Sequence, residues 1–92
     1  MAMTLSAYLE TARGQEMVLV IAGEASIPTS IVAGLILKAF PDFCGRGAKF
    51  AKQTFTKKLK LLAAECRASG MMTTGEFLRL AKDSFRDVNE DT

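Results

Sequence analysis

The sequence predicts an all-α protein, a compact bundle of four to five short helices in a single domain over residues 1–88, with a frayed acidic tail at 89–92. Apolar residues make up 49% of the 92 residues and charged residues 24%. This mixture is typical of a globular chain and excludes a wholly disordered one. Apolar residues also recur at helical spacing along most of the chain.

The first predicted helix starts at Thr4, whose hydroxyl can cap it, and ends at Gly14. Its apolar stripe consists of Leu5, Tyr8, Leu9 and Ala12. The next segment, Gln15–Glu24, is rich in β-branched residues, which favours a strand. No second strand is evident to pair with it, and unpaired ladder groups are costly when buried. A short buried helix is therefore predicted here, with an intermolecular β-ribbon as the alternative.

A third helix is predicted after a short turn. Ser26 is the predicted N-cap of the next helix, and Pro28 fits its first turn. One face of that helix carries Ile31, Val32, Leu35, Ile36, Ala39 and Phe40. Because Ala33, Gly34 and Leu37 make the rest apolar, we expect the helix to be central and covered on most sides. Pro41 ends it, and residues 42–47 form a loop.

The longest predicted helix spans Ala48–Ala68 and ends at Gly70 as its C-cap. Its core face contains Phe55, Leu59, Leu62 and Cys66, and roughly opposite lie Lys49, Lys52, Lys57, Lys60 and Arg67. Thr73 and Glu76 then form a capping box for a last helix. The inward face of that last helix comprises Phe77, Leu80, Ala81, Ser84 and Val88.

The composition argues against an enzyme and against a bound cofactor or metal. The chain has no histidine, which excludes imidazole ligands and histidine-based acid–base chemistry. Its two cysteines cannot supply four thiolates for zinc, and we expect both to be reduced and mostly buried. No apolar run approaches the roughly 20 residues of a membrane-spanning helix, and no signal-peptide pattern is present. A cytoplasmic location is predicted by elimination.

Charge is segregated along the chain. Residues 38–67 carry eight basic and two acidic groups, a net of +6, whereas the remaining residues have a net of −4. Most solvent-facing helices mix the two signs to gain pairs at i,i+4. The excess of one sign therefore favours contact with a phosphate backbone, although an acidic protein partner and a plain solvated face are the alternatives.

Residues 21–36 resemble the helix-turn-helix family of DNA-binding proteins. Ala22 and Ala25 would let two helices approach, Ile27 would fill the turn, and the second helix would be anchored by Ile31, Val32 and Leu35. Ser26 stands where the family usually has glycine. In this family the second helix enters the major groove. The resemblance implies that Thr29 and Ser30, with Ala33 and Gly34, lie nearest the base edges.

The sequence thus predicts a small protein that binds double-stranded DNA, a transcriptional regulator that acts as a homodimer. The predicted nucleic-acid-binding residues are Thr29, Ser30, Lys38, Arg46, Lys49, Lys52, Lys57 and Lys60. The predicted dimer interface consists of apolar residues off the core faces, Phe50, Leu61, Leu78 and Phe85. A helical interaction or inhibitor protein that docks on a larger partner is the main alternative, and an RNA-binding protein the third.

Overall fold

The computed structural model describes residues 2–39 and 49–90, with side chains up to Ser84. Its elements in chain order are β1 (Ala2–Met3), α1 (Leu5–Glu10), α2 (Ala12–Ala25), α3 (Thr29–Ala39), β2 (Phe50–Ala51), α4 (Lys52–Ser69) and α5 (Thr74–Glu90). The predicted all-α class is confirmed, with five helices in the described residues. The last helix is described to Glu90, two residues into the segment for which we predicted fraying.

The core forms where α2 packs against both α3 and α4, and α5 closes the bundle against the same two helices. The largest fully buried side chains are Tyr8, Phe55, Phe77, Leu5, Ile21, Ile36, Leu59, Leu62, Val32 and Cys66. The four residues predicted to form the core face of the longest helix are all among them. In the last helix Phe77 and Ala81 are buried, Leu80 and Ser84 are half-buried, and the Val88 side chain lies outside the described part.

The predicted end of the first helix at Gly14 is wrong. The chain leaves α1 after Glu10, and Thr11 in extended conformation separates it from α2. The Thr11 hydroxyl donates to the Tyr8 carbonyl and accepts from the Gly14 N–H, so one residue caps both helices. Gly14 is buried in the first turn of α2, where its lack of a side chain permits close contact with α1. From the sequence alone, a glycine that is needed for close packing cannot be distinguished from a glycine that ends a helix.

Residues 15–24 lie within α2, which confirms a helix over a strand. Ser26, predicted as an N-cap, instead ends α2 in the left-handed conformation, with φ of 57°. Helix α3 begins only at Thr29, and the carbonyl of Pro28 accepts from the Ile31 N–H. The chain bends by 102° between α2 and α3.

Helix α3 is not covered on most sides. Its buried residues are Val32, Ile36 and Ala39, whereas Ile31 is 42% exposed and Leu35 is half-buried. Val32, Ile36 and Ala39 lie within about 60° of one another around the helix, so packing against α2 and α5 uses one face only. The apolar residues on the remaining surface therefore stay in contact with solvent.

The longest helix starts four residues later than predicted, at Lys52. Before it, β2 pairs antiparallel with β1, with Ala2 opposite Ala51 and Met3 opposite Phe50. Strands of two residues carry no periodic signal, so they could not be predicted from the sequence. Phe50 consequently does not lie on a helix surface: it is half-buried and its ring meets Phe55 edge-on at 5.8 Å.

The other helix caps agree with the sequence. The Ala7 N–H donates to the Thr4 hydroxyl at 3.1 Å, and the Gly70 N–H donates to the Cys66 carbonyl at 2.9 Å. At the start of α5 the Thr73 N–H donates to Glu76 Oε1 at 2.8 Å, while the Glu76 N–H donates to Thr73 Oγ1 at 3.2 Å. This reciprocal pair is the predicted capping box.

Within residues 2–39 and 49–90, no single helix is both long enough and apolar enough to cross a bilayer. Only α2 and α3 taken together, as a bent pair, have the required length and composition.

Candidate nucleic-acid interface

A basic groove runs between the start of α2 and the outer face of α4. It is lined by Arg13, Lys52, Gln53, Thr56, Lys57 and Lys60, and has a volume of about 450 Å³. Five of the six side chains are exposed, and Thr56 is half-buried. Among the described residues, the lining of the groove consists of four basic side chains and two neutral hydrogen-bonding ones, and no carboxylate.

The position of the lysines follows from how α4 is seated. Phe55, Leu59 and Leu62 are fully buried, which turns Lys57 and Lys60 outward on the opposite face. Lys52 is exposed at the first position of the helix. A short hydrogen-bond chain lies at the helix start, where the Thr56 hydroxyl donates to the Lys52 carbonyl at 3.0 Å. The Tyr8 hydroxyl, 2.8 Å from Thr56 Oγ1, must then be the donor in that contact, since threonine has one hydroxyl hydrogen. This hydrogen bond links the start of α4 to α1.

The lysines and the arginines of this region differ in their partners. Among the described residues, Lys52, Lys57 and Lys60 have no carboxylate within 4 Å. Arg13 donates to Glu16 Oε1 at 2.6 Å. Further along α4, Arg67 makes two hydrogen bonds to Glu24, at 3.2 and 3.3 Å, and this pairing raises the pKa of its guanidinium. The three lysines are therefore the uncompensated cations of the groove.

The remaining predicted cations are dispersed. Lys49 is exposed immediately before β2, and Lys38 is exposed in the last turn of α3. Neither lines the basic groove. Arg46 falls outside the described residues.

The structure does not bring the two predicted DNA-contacting sets together. Thr29 and Ser30 are exposed at the start of α3. Thr29 lines a second, largely apolar groove of about 400 Å³, with Leu9, Gln15, Val18, Leu19 and Ala33. At about 100° per residue, the α2 residues of this groove lie about 120–160° around the helix from Arg13. Helix α2 therefore stands between Thr29 and the lysines.

Of the predicted interface residues, Leu61 is 50% exposed, whereas Phe50 and Leu78 pack partly against the core. The Phe85 side chain lies beyond those described. Sequence reasoning missed Arg13, Gln53 and Thr56 as groove residues, and also the exposed pair Leu19 and Val20 on α2. The helical register of Gln53 and Thr56 on α4 could have identified those two, but nothing local to Arg13 indicates its place beside α4.

Cys66 is a buried free thiol. Burial, together with the nearby carboxylates of Glu24 and Glu65, raises its pKa to about 11. Such a thiol is neutral at physiological pH and a poor nucleophile. Cys44 falls within the stretch that the structure leaves undescribed.

No protein-family model, curated protein or solved structure shows a significant match to this chain.

Proposed function

We propose that this protein binds double-stranded DNA through the basic groove and acts as a small transcriptional regulator or accessory factor in the cytoplasm. The observation that carries the proposal is the set of three exposed lysines that have no carboxylate partner among the described residues. Lysine ammonium groups bind phosphates as point charges and carry little base information. Binding through such contacts releases counterions and weakens steeply with salt.

The spacing of these lysines suits a phosphate backbone. Lys52 and Lys60 are eight residues apart on α4, which corresponds to about 12 Å along a helix axis. That length is close to the ~12 Å width of the DNA major groove. Gln53 and Thr56 lie between them and add neutral donors that can hydrogen-bond phosphate oxygens.

The helix-turn-helix resemblance stays part of the proposal and gains geometric support. Two helices at about 90–120° with a short turn are typical of the motif, and α2 and α3 meet at 102°. Ser26 adopts a left-handed conformation where the family usually has glycine, and Ile27 is buried in the turn. Because Thr29 and Ser30 lie on the other side of α2 from the lysines, we expect weak sequence preference, aided by DNA shape.

The test is a titration of a labelled mixed-sequence duplex at several salt concentrations. We expect log K to fall with log salt, and the combined change K52Q, K57Q and K60Q to reduce the slope by about 2.7, or about 0.9 for each lost phosphate contact. Lys82, exposed on α5, provides the matched control K82Q. Absence of binding at low salt, or an unchanged slope in the triple variant, would overturn the proposal. Tighter binding to structured RNA in competition would reassign the groove to RNA.

Protein–protein contact is the second candidate, favoured by exposed apolar residues. Leu19 is 61% exposed and Val20 44% exposed on α2, beside the apolar groove, and Leu61 is exposed on α4. A second copy of this chain is the partner we propose. Sedimentation velocity should show a dimer that either L61S or the pair L19S and V20S abolishes while thermal unfolding is unchanged. A monomer at micromolar concentration, or a dimer resistant to both changes, would contradict it.

A further inference from the structure

Two arginines flank the lysines of the basic groove, and each is held by a carboxylate of α2. Arg13 lines the groove and is bound to Glu16 one turn along the same helix. Arg67 lies further along α4 and is bound through two nitrogens to Glu24. The side chains of Arg13 and Glu16 are 48% and 61% exposed; that of Arg67 is 77% exposed, whereas that of its partner Glu24 is 26% exposed.

We propose that Glu16 and Glu24 are internal competitors of the nucleic-acid phosphates, since they occupy the guanidinium donors that a phosphate would otherwise bind. The inference rests on the proposed DNA-binding function. Carboxylates and phosphates accept hydrogen bonds from the same guanidinium N–H groups. An N–H pair that is bound to a carboxylate therefore cannot bind a phosphate at the same time. An exposed ion pair contributes little stability, so replacing the carboxylate by a phosphate should cost little free energy, above all at Arg13 and Glu16, where both side chains are exposed.

This arrangement divides the cations by their role. The three lysines are available at once and set the basal affinity and its salt dependence. The two arginines form phosphate contacts only to the extent that the α2 carboxylates release them. Neutralising a carboxylate should therefore add a phosphate contact, which increases both the affinity and the number of counterions released.

The experiment compares E16Q, E24Q and the double variant with the unmodified protein in duplex titrations over a range of salt. Each single change should tighten binding by about two- to fivefold at low salt and steepen the slope of log K against log salt by about 0.9. The control is E65Q, which removes the same charge about 140° around α4 from Lys60. A purely long-range charge effect would tighten binding alike in E65Q and E16Q.

A double-mutant cycle tests whether Glu16 acts through Arg13. In an R13Q background, E16Q should no longer steepen the slope, because no guanidinium is left to release. E24Q could perturb the packing of α2 against α4, which thermal unfolding of the variant would detect. E16Q avoids this problem, because Arg13 and Glu16 lie on one exposed turn of a single helix. Unchanged slopes in E16Q and E24Q would overturn the inference and leave the proposed function intact. Failure of the unmodified protein to bind any duplex would overturn the proposed function itself.

Discussion

Gly14 packs directly against the backbone of Tyr8. A methyl group built on the Gly14 Cα would overlap the Tyr8 carbonyl oxygen and lie 2.8 Å from the Leu9 Cα. Helix α2 can begin immediately after Thr11 only because residue 14 has no side chain. Tyr8 also contacts α4, because its hydroxyl hydrogen-bonds to the Thr56 hydroxyl.

Gly14→Ala should destabilise the protein by about 3 kcal/mol, because the added methyl forces two backbone segments apart. The matched control is Gly23→Ala on the exposed side of α2, where an added methyl meets no atom within 4 Å beyond its chain neighbours and the backbone of its own helix. Alanine is the better helix former there and should stabilise by about 0.5–1 kcal/mol. Urea unfolding of both variants measures the difference, and effects of the same sign would contradict this account of Gly14.

Tyr8→Phe should cost about 1 kcal/mol of unfolding free energy, the usual net value of one hydrogen bond. The Thr56 hydroxyl keeps its bond to the Lys52 carbonyl, so no buried donor is left without a partner. Thr56→Ser retains the hydroxyl and should keep the coupling to Tyr8, whereas Thr56→Ala should remove it. A double-mutant cycle of Y8F with T56A in urea measures this coupling, and a value near zero would show that the contact contributes nothing.

Ser26→Gly should stabilise the protein by roughly 1 kcal/mol. Ser26 has a φ of 57° at the end of α2, and this left-handed conformation costs a residue with a Cβ about 1–2 kcal/mol relative to glycine, part of which is offset by the greater freedom of unfolded glycine. Thermal unfolding provides the measurement. A loss of stability would indicate that the Ser26 side chain has a stabilising role of its own.

The Cys66 thiol should make stability fall at alkaline pH. Its pKa is about 11 in the folded protein against 9.0 for an ordinary thiol, so the folded state retains a proton that the unfolded state releases. The stabilisation is complete below pH 9.0 and is lost as pH rises towards 11, by up to about 1.4 kcal/mol per pH unit. Denaturant titrations with C66A as control, both in a Cys44→Ser background, isolate this slope. Equal slopes in the two proteins would exclude Cys66 as its source.

Glu76 should have the opposite pH dependence. Hydrogen bonds from Thr73 to its carboxylate lower the pKa of Glu76 below the usual 4.5. The carboxylate therefore stabilises the protein above pH 4.5, and this stabilisation is lost as pH falls through the lowered pKa. The stability difference between the unmodified protein and E76Q should be present at neutral pH and vanish in acid, as measured by urea unfolding at each pH. A difference that does not change with pH would contradict the role of the charge.

Features that depend on neighbouring turns of one helix could be predicted from the sequence. The caps at Thr4, Gly70 and Thr73 require only residues three or four positions away, and the core face of α4 follows from its helical periodicity. The outward direction of Lys57 and Lys60 follows from the same periodicity, because a helix that buries one face exposes the other. Lys52 lies only about 60° around the helix from Phe55, so periodicity alone does not predict its exposure.

Features that depend on packing between distant segments could not be predicted. The pairing of Ala2 with Ala51, the 43-residue separation of Glu24 from Arg67 and the place of Arg13 beside α4 all require knowledge of which helices meet. Gly14 shows the same limit, since glycine ends a helix in one context and permits close packing in another.

The sequence by itself determined that this chain forms an amphipathic helical bundle with a lysine-rich outer face, because periodicity and charge are properties of each helix alone. The tertiary structure decided which of the described basic residues have a carboxylate partner and which predicted contact residues share a surface. Both depend on how the helices pack. Helix α2 lies between α3 and α4, so it separates Thr29 from the lysines and places Glu24 beside Arg67.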